Sequence, residues 1–527
     1  MIMREKSFII LFLALSLPLA CNKEGNLIYQ LQSQKEEIES TVYQLPESET
    51  LDVSDLKLTL DREYYWVDAA GSVTVSYSLP QAASVEASAR DGWSATVNPG
   101  GDKEGEIVIT APDPASPGII TLKATDNNGN TAESFVQVFV RKPYGNVASP
   151  QIDVHAYNGF SDQLATPENF QKLVEAGVTM LTVEGDWEPG LDWRKHCRLA
   201  EEYGIKVILF INGSAGFYAE DPENDKRLEN KVREALTYPA VYAFQIADEP
   251  STREAGKLST SKARIEELAP GYPVYINLHP STVSQWGMGA LTYESYVEYY
   301  AQTCALTFIT FDQYPLWKQG IEDSWYKSLN VVYDVSHRHG IPFWAFIQSC
   351  REYSRVDPTL ETIRLQGNIN LAYGAQCNQY FVWKATSGTD YAPIMDDGTY
   401  KAVYDDCKEY DRELHNREFV FARSNVHKVR HTGYNYYLHG ECLLKEDLPE
   451  AIEDITAGGS ALVSFVGNSG NEYVVICNKT YLEKLPVEVT FARTVYTVDR
   501  DGRFTEHQPG KAGFTIDEGD MLVIKWR

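Results

Sequence analysis

The sequence predicts an α/β protein: a closed (β/α)8 barrel with a β-sandwich on either side of it. Three observations lead there. Between residues 150 and 415, apolar strand-like runs alternate with amphipathic helical stretches at intervals of about 30 residues. Before and after that stretch, short alternating segments broken by Gly, Pro, Asn and Asp take over. The length, 527 residues, exceeds the roughly 250–300 at which single hydrophobic cores stop growing, so more than one domain is required.

The chain opens as an export signal. Arg4 and Lys6 precede an apolar run over 8–17, too short to span a bilayer as a helix, and Leu17-Pro-Leu-Ala20-Cys21 follows. This segment resembles a bacterial lipoprotein signal, although Pro18 stands where leucine is usual. The resemblance implies a signal segment over 1–21 cleaved just before Cys21, which becomes the lipidated first residue, and a protein anchored at the outer membrane or cell surface. Residues 22–50 are polar and acidic and read as a tether. No other segment is long and apolar enough to cross a membrane.

Residues 51–143 carry alternating runs at 72–77, 106–110, 119–124 and 134–140, separated by turns at 98–101 and 126–130. Strands at this spacing without helices predict a β-sandwich. It resembles the immunoglobulin-like modules that precede catalytic domains in secreted bacterial glycan-degrading enzymes. A rigid spacer is the simplest role for it.

The barrel accounts for 150–415. Its strand-like runs are 152–157, 179–184, 206–212, 241–247, 273–278, 306–312, 341–347 and 378–383. Helical stretches lie between them at 167–176, 193–203, 225–236, 293–304, 325–338 and 359–372. Eight such units match a closed TIM barrel. From 416 to 527 strands return, at 460–465, 472–477, 487–491 and 521–526, and predict a C-terminal β-sandwich.

Composition narrows the partners. There are 47 Lys+Arg against 74 Asp+Glu, a formal charge of -27. Nucleic acid, anionic lipid surfaces and polyanionic substrates are repelled at long range. Beyond Cys21 the seven cysteines contain no CxxC pair, which argues against a zinc site or a disulfide framework. No phosphate-binding glycine loop, HExxH motif or Gly-x-Ser-x-Gly elbow is present, and no cofactor is expected.

In such a barrel the carboxyl ends of the strands carry the chemistry. The most informative stretch is 242–250, where an apolar run ends in Asp248-Glu249 and Pro250 stops the strand. Polar and aromatic residues fall at the same end of the other strands. They are His155, Tyr157 and Asn158, Glu184 and Asp186, Asn212, Asn277 and His279, Asp312, Gln313 and Tyr314, Gln348, and Trp383 with Lys384. Each residue singly also fits a helix cap or loop partner. Together, hydrogen-bonding groups among aromatics suit a polyhydroxylated ligand.

The order of these motifs resembles the clan A glycoside hydrolases, among them enzymes like the family 42 β-galactosidases. The resemblance covers about 150–415. It implies that Glu249 is the general acid/base, with Asp248 in the place of the clan's asparagine. It likens Tyr314 to the strand 6 tyrosine region and Trp383 to the tryptophan that floors the sugar site. One place departs: where the clan has its nucleophilic glutamate, at the end of strand 7, this chain has Gln348, and an amide cannot serve. Glu352 and then Asp312 are the foremost candidates for the second carboxylate, with Glu184 behind them. Tyr157, Tyr314 and Trp383 would pack on the sugar, while Asn277, His279 and Lys384 would bind hydroxyls. The expectation is a glycosidase acting on a neutral extracellular oligo- or polysaccharide. A lipid-anchored glycan-binding protein without catalysis is the alternative, and a scaffold whose sandwiches mediate protein contacts is a third reading.

Overall fold

Eight parallel strands close into a barrel, each paired with its neighbours in sequence and the last with the first. The computed structural model describes residues 56–526 except 57, 62–63, 69, 90–91, 113–117, 142–150, 186–190, 212–218, 220, 387 and 433–440. The export signal, Cys21, the acidic tether, Asp186 and Asn212 therefore lie outside the described residues.

The barrel strands, numbered here one to eight, are Asp153–Ala156, Met180–Glu184, Lys206–Phe210, Val241–Asp248, Val274–Leu278, Ile309–Phe311, Phe343–Gln348 and Cys377–Phe381. Because successive side chains point to opposite faces, each strand sends alternate residues inward. The lowest inward layer is apolar, with Met180, Ile208, Tyr275, Phe308, Trp344 and Cys377 in one buried cluster. The outward residues, such as Val154, Leu181, Phe244 and Ile276, join the larger core beneath the helices.

Helices follow the strands and are started by polar residues at the strand ends. Thr166 caps Pro167–Glu175, Asp192 caps Trp193–Tyr203, and Asp221 caps Pro222–Ala235. Proline at the first helical position and an oxygen accepting from the free N–H groups are the ordinary signals for such starts. Gly374, at φ 100°, ends the seventh helix, Leu360–Tyr373, in a left-handed turn. The eighth helix, Ala402–Phe421, runs past the expected change of pattern near 415. Its continuation is masked in the hydropathy pattern because Glu413 and Arg417, both buried, occupy its inner face.

Residues before the barrel form two four-stranded sheets. One contains Thr59–Leu60, Ser72–Ser78, Glu104–Thr110 and Ser94–Pro99; the other contains Tyr64–Asp68, Thr131–Arg141, Gly118–Asp126 and Ala83–Ser88. Val75, Ile107 and Ile109 from the first share a core with Ile120, Leu122, Val136 and Val138 from the second.

After the barrel come a six-stranded and a three-stranded sheet. The strands Ala461–Asn468 and Asn471–Asn478 of the six-stranded sheet are buried on both faces. In Ala461–Asn468, Ala461, Val463 and Phe465 join the core shared with the three-stranded sheet, while Leu462 and Val466 join the core of the barrel. All eight residues of that strand are buried. Ser464 sits on the barrel side and donates to the Ala372 carbonyl at 2.6 Å.

Candidate active site

Above the apolar layer the barrel interior turns polar, and a chain of hydrogen bonds joins its side chains. His155, fully buried, lies 3.0 Å from Gln379 Oε1 through Nδ1 and 2.7 Å from Thr182 Oγ1 through Nε2. Gln379 Oε1 also accepts from the Tyr275 hydroxyl at 2.8 Å, and Gln379 Nε2 donates to Thr310 Oγ1 at 2.8 Å. Thr310 reaches Asn277 Oδ1 at 3.3 Å, and Asn277 Nδ2 donates to Asp248 Oδ1 at 3.0 Å. A continuous network thus climbs from mid-barrel to the first carboxylate of the acidic pair. Burial lowers the pKa of His155 to about 4, so the ring is neutral at pH 7.

Asp248 is presented inward by a bulge. The pairing of strands four and five shifts register between Gln245 and Ala247. An extra residue of this kind re-aims the side chains that follow it. Gln245 and Asp248 therefore both face the interior, Gln245 donating to the Tyr157 hydroxyl at 3.0 Å and Asp248 lying near enough for its charge to act on Tyr157. Glu249 follows in the left-handed region, at φ 49°. A non-glycine residue there carries backbone strain, which collects at functional sites. Its amide is fixed to the Asn277 carbonyl at 2.9 Å. Its side chain, 41% exposed, reaches the rim, where His279 Nδ1 stands 3.4 Å from Oε1.

Asp312 approaches from strand six. Its amide donates to the Leu278 carbonyl at 3.4 Å, and its Oδ1 is shut off from solvent with no partner. Burial first, then the charges of Glu249 and Asp248, push its pKa well above the usual carboxylate range. Asp248 is raised as well, chiefly by desolvation and further by Glu249, against the hydrogen bond from Asn277. Asp248 is crowded by protein yet keeps accessible surface at the barrel mouth, as does Glu249.

Aromatic rings floor the mouth. Tyr314 stacks on Phe381 with centroids 4.6 Å apart, and Tyr157 meets Phe346 edge-on at 5.3 Å. Arg355 lies over the Trp317 ring at 4.3 Å and over Tyr314 at 5.1 Å, and donates to the Tyr314 carbonyl.

The structure therefore gathers Tyr157, Asp248, Glu249, His279, Asp312 and Tyr314, and Glu184 lies close enough for its charge to act on Tyr157. Other expected positions are corrected. Trp383 is 1% exposed and packs on Tyr380 and Tyr404 in the layer between barrel and helices, because strand eight ends at Phe381 and the chain turns away. Phe381 holds the inward place instead. His155 belongs to the buried network below the mouth. Asn277 has both ends of its amide engaged and holds Asp248 rather than standing free. Lys384 pairs with Asp396 at 3.0 Å. Gln348 turns its amide into the following loop, donating to the carbonyls of Cys350 and Val356. Glu352 sits in a two-residue strand paired with Thr389–Tyr391, its carboxylate 3.6 Å from Arg355.

Sequence reading did not single out Gln245, Phe346 and Phe381. The signal was available for Phe346, which stands two residues before Gln348 and so on the same face. The bulge that turns Asp248 inward leaves no mark in the alternation.

No family model matches the chain, and no curated protein matches it. Solved structures do. A family 39 glycoside hydrolase from the gut symbiont Bacteroides cellulosilyticus WH2 aligns at TM-score 0.45 and 10% identity, over 89% of this chain and 100% of that one. A putative glycoside hydrolase from Bacteroides vulgatus ATCC 8482 aligns at 0.40 and 11%, over 87% and 99%. Glycoside hydrolases of families 2, 5 and 128 are among the others. So is a truncated 3-deoxy-D-arabino-heptulosonate 7-phosphate synthase from Thermotoga maritima, at 0.31 and 14%, over 50% and 86%. At such values none of them assigns a residue or a reaction to this chain.

Proposed function

We propose that the protein hydrolyses a glycosidic bond, with Glu249 and Asp312 as its working carboxyl pair. The observation that carries this reading is the convergence of Asp248 and Glu249 from strand four with Asp312 from strand six, close enough to repel one another, above an aromatic floor. Glycoside hydrolysis needs two carboxyl groups of which one is protonated and one ionised. Environments that push neighbouring carboxyls apart in pKa make that division.

Asp312, raised by burial and by its neighbours, enters the reaction as the acid and passes its proton to the glycosidic oxygen as the C–O bond breaks. Glu249, at the rim, supplies the carboxylate that attacks the anomeric carbon or takes a proton from the attacking water. This revises the resemblance, under which Glu249 alone carries the proton. Asp248 is the positioning carboxylate between them, held by Asn277. The export-like N-terminus supports an extracellular glycan as substrate and a lipid on Cys21 as the anchor. The overall negative charge favours a glycan without acidic groups.

Two variants test the assignment. Asp312→Asn should lower turnover of an unactivated glycan about 10²–10⁴-fold, yet keep most turnover of an aryl glycoside whose leaving group needs no proton. Glu249→Gln should lose both. Retained hydrolysis of the glycan by Glu249→Gln would sink the pair.

One observation favours a second reading, a glycan-binding protein without catalysis: the strand seven position of the clan's nucleophile is Gln348, engaged with its own loop. Retention of a glycan with no product after prolonged incubation decides for it.

A further inference from the structure

The segment that leaves Glu249 is held from behind by a helix. Strand four ends at Asp248, and the helix Tyr293–Thr303 follows strand five. Tyr296 and Tyr300 on that helix are fully buried and meet edge-on, ring centroids 5.3 Å apart. A spacing of four residues puts both on one face. The Tyr296 hydroxyl donates to the Pro250 carbonyl at 2.7 Å, and the Tyr300 hydroxyl donates to the Ser251 carbonyl at 2.7 Å. Each therefore fixes one peptide just past Glu249.

Tyr296 has a second bond. A phenol oxygen that donates can still accept, and this one accepts from the His279 amide at 3.2 Å. Its ring also lies beside the imidazole, with centroids 5.9 Å apart. One buried oxygen thus joins the residue after Glu249 to the backbone of His279, whose Nδ1 stands 3.4 Å from Glu249 Oε1. Catalytic contacts of this length tighten when the reacting complex forms. Glu249 itself is held at φ 49°, a conformation that persists only where its surroundings over-determine it. Asn277 supplies one restraint, accepting from the Glu249 amide at 2.9 Å, and Tyr296 supplies the next. Burial raises the Tyr296 hydroxyl well above its ordinary range, with Glu249 and Asp312 adding to the rise, so it keeps the proton it donates.

We infer that Tyr296 is a positioning residue of the proposed hydrolysis: through its hydroxyl it holds His279 against Glu249 and keeps that carboxylate aimed at the anomeric carbon or the attacking water. Fully buried, it touches no ligand itself. The inference rests on the reading of Glu249 as the ionised carboxylate and adds the residue that aims it. Tyr300 is the internal standard. It shares the helix, the burial and the length of the carbonyl bond, while the His279 amide goes to Tyr296. A merely structural role makes the two hydroxyls equivalent; a positioning role does not.

The test uses the full mature chain and dinitrophenyl glycosides of glucose, galactose, mannose and xylose in both anomeric forms. Their leaving group needs no proton, so the step carried by Glu249 is the one read. On a glycoside that the native chain hydrolyses, Tyr296→Phe should lower kcat about tenfold or more and leave KM within about twofold. Tyr300→Phe should leave kcat within about twofold, although urea unfolding should show the two variants losing similar stability. His279→Ala should lower kcat at least as far as Tyr296→Phe does. Combining the two should cost little beyond His279→Ala alone, because one acts through the other. Equal loss of kcat in the two phenylalanine variants, or losses that multiply in the double variant, would overturn the positioning role and leave the hydrolysis standing. Failure of Tyr296→Phe to fold, by circular dichroism, would make the bond structural and overturn the role as well. No hydrolysis of any of these glycosides by the native chain would overturn the glycosidase reading, and this role with it.

Discussion

Burial lowers the pKa of His155, His337 and His431, and the two with the least accessible surface illustrate how single residues make the molecule acid-sensitive. His155 has its pKa lowered to about 4 by burial. His431 is lowered to about 3, by burial first and then by Lys479 and Arg430. In the unfolded chain both titrate near 6.5. Their folded pKa values lie below that, so the unfolded state binds more protons. The stability that these rings contribute is therefore complete above about pH 6.5 and is lost as pH drops toward 3–4, by roughly 1.4 kcal/mol per pH unit for each ring. Asp411, pushed up to about 8 by burial, and the raised Asp312 act with the opposite sign. Urea midpoints at pH 7.5, 6 and 5, compared between the native chain and His155→Gln, should differ in slope by about one proton, the variant losing less on acidification. A slope unchanged in that variant would mean that the ring is not buried neutral. Residue chemistry was legible where a side chain ends a strand: Asp248, Glu249, Asp312, Tyr157 and Tyr314 all stand at the mouth. It was illegible where pairing decides direction. Trp383 has the inward parity, but it follows the end of its strand and turns into the helical layer.

At the scale of elements, the eighth helix is finished by a residue from another sheet. Asn468 Nδ2 donates toward the carbonyls of Phe419, Val420 and Ala422, at 2.9, 3.1 and 2.9 Å. The last carbonyls of a helix have no partner within it, and here a β-strand supplies one. Asn468→Ala should cost about 1–3 kcal/mol, since the buried acceptors lose their donor, with no effect on glycan binding. A loss below about 0.5 kcal/mol in chemical denaturation would show water replacing the amide. Most elements were legible, because most barrel strands are apolar runs and several helices open on a capping residue, whereas the uncapped helix Ala255–Leu268 was not read. The end of the eighth helix was not, since its buried face is built from Glu413 and Arg417 rather than from apolar residues.

For the whole molecule, those charges are the fastening. Arg364 donates to Glu413 at 3.0 Å through Nε. Arg417 lies 4.0 Å from Glu413 and 3.7 Å from Asp520, and Arg500 reaches Asp520 at 2.7 Å. Helices seven and eight of the barrel are thereby tied to the last sheets. Removing one member of a buried ion network strands the others, at roughly 3–5 kcal/mol. Glu413→Leu should fall in that range by equilibrium unfolding, and a change under about 1 kcal/mol would show that Arg364 and Arg417 find other partners.

The sheet with two buried faces settles how this chain can be cut. A module moves between genes when its surface is complete without its neighbour, and the C-terminal sheets are not of that kind. Leu462, Val466, Val475 and Val523 are shared property with the barrel, so a chain ending near residue 421 would expose an apolar wall on helices seven and eight. Expressed alone, residues 150–421 should aggregate, whereas 150–527 should be soluble and monodisperse by size-exclusion chromatography. Because that core is shared, a cut between barrel and last sheets should leave two fragments that each expose part of it.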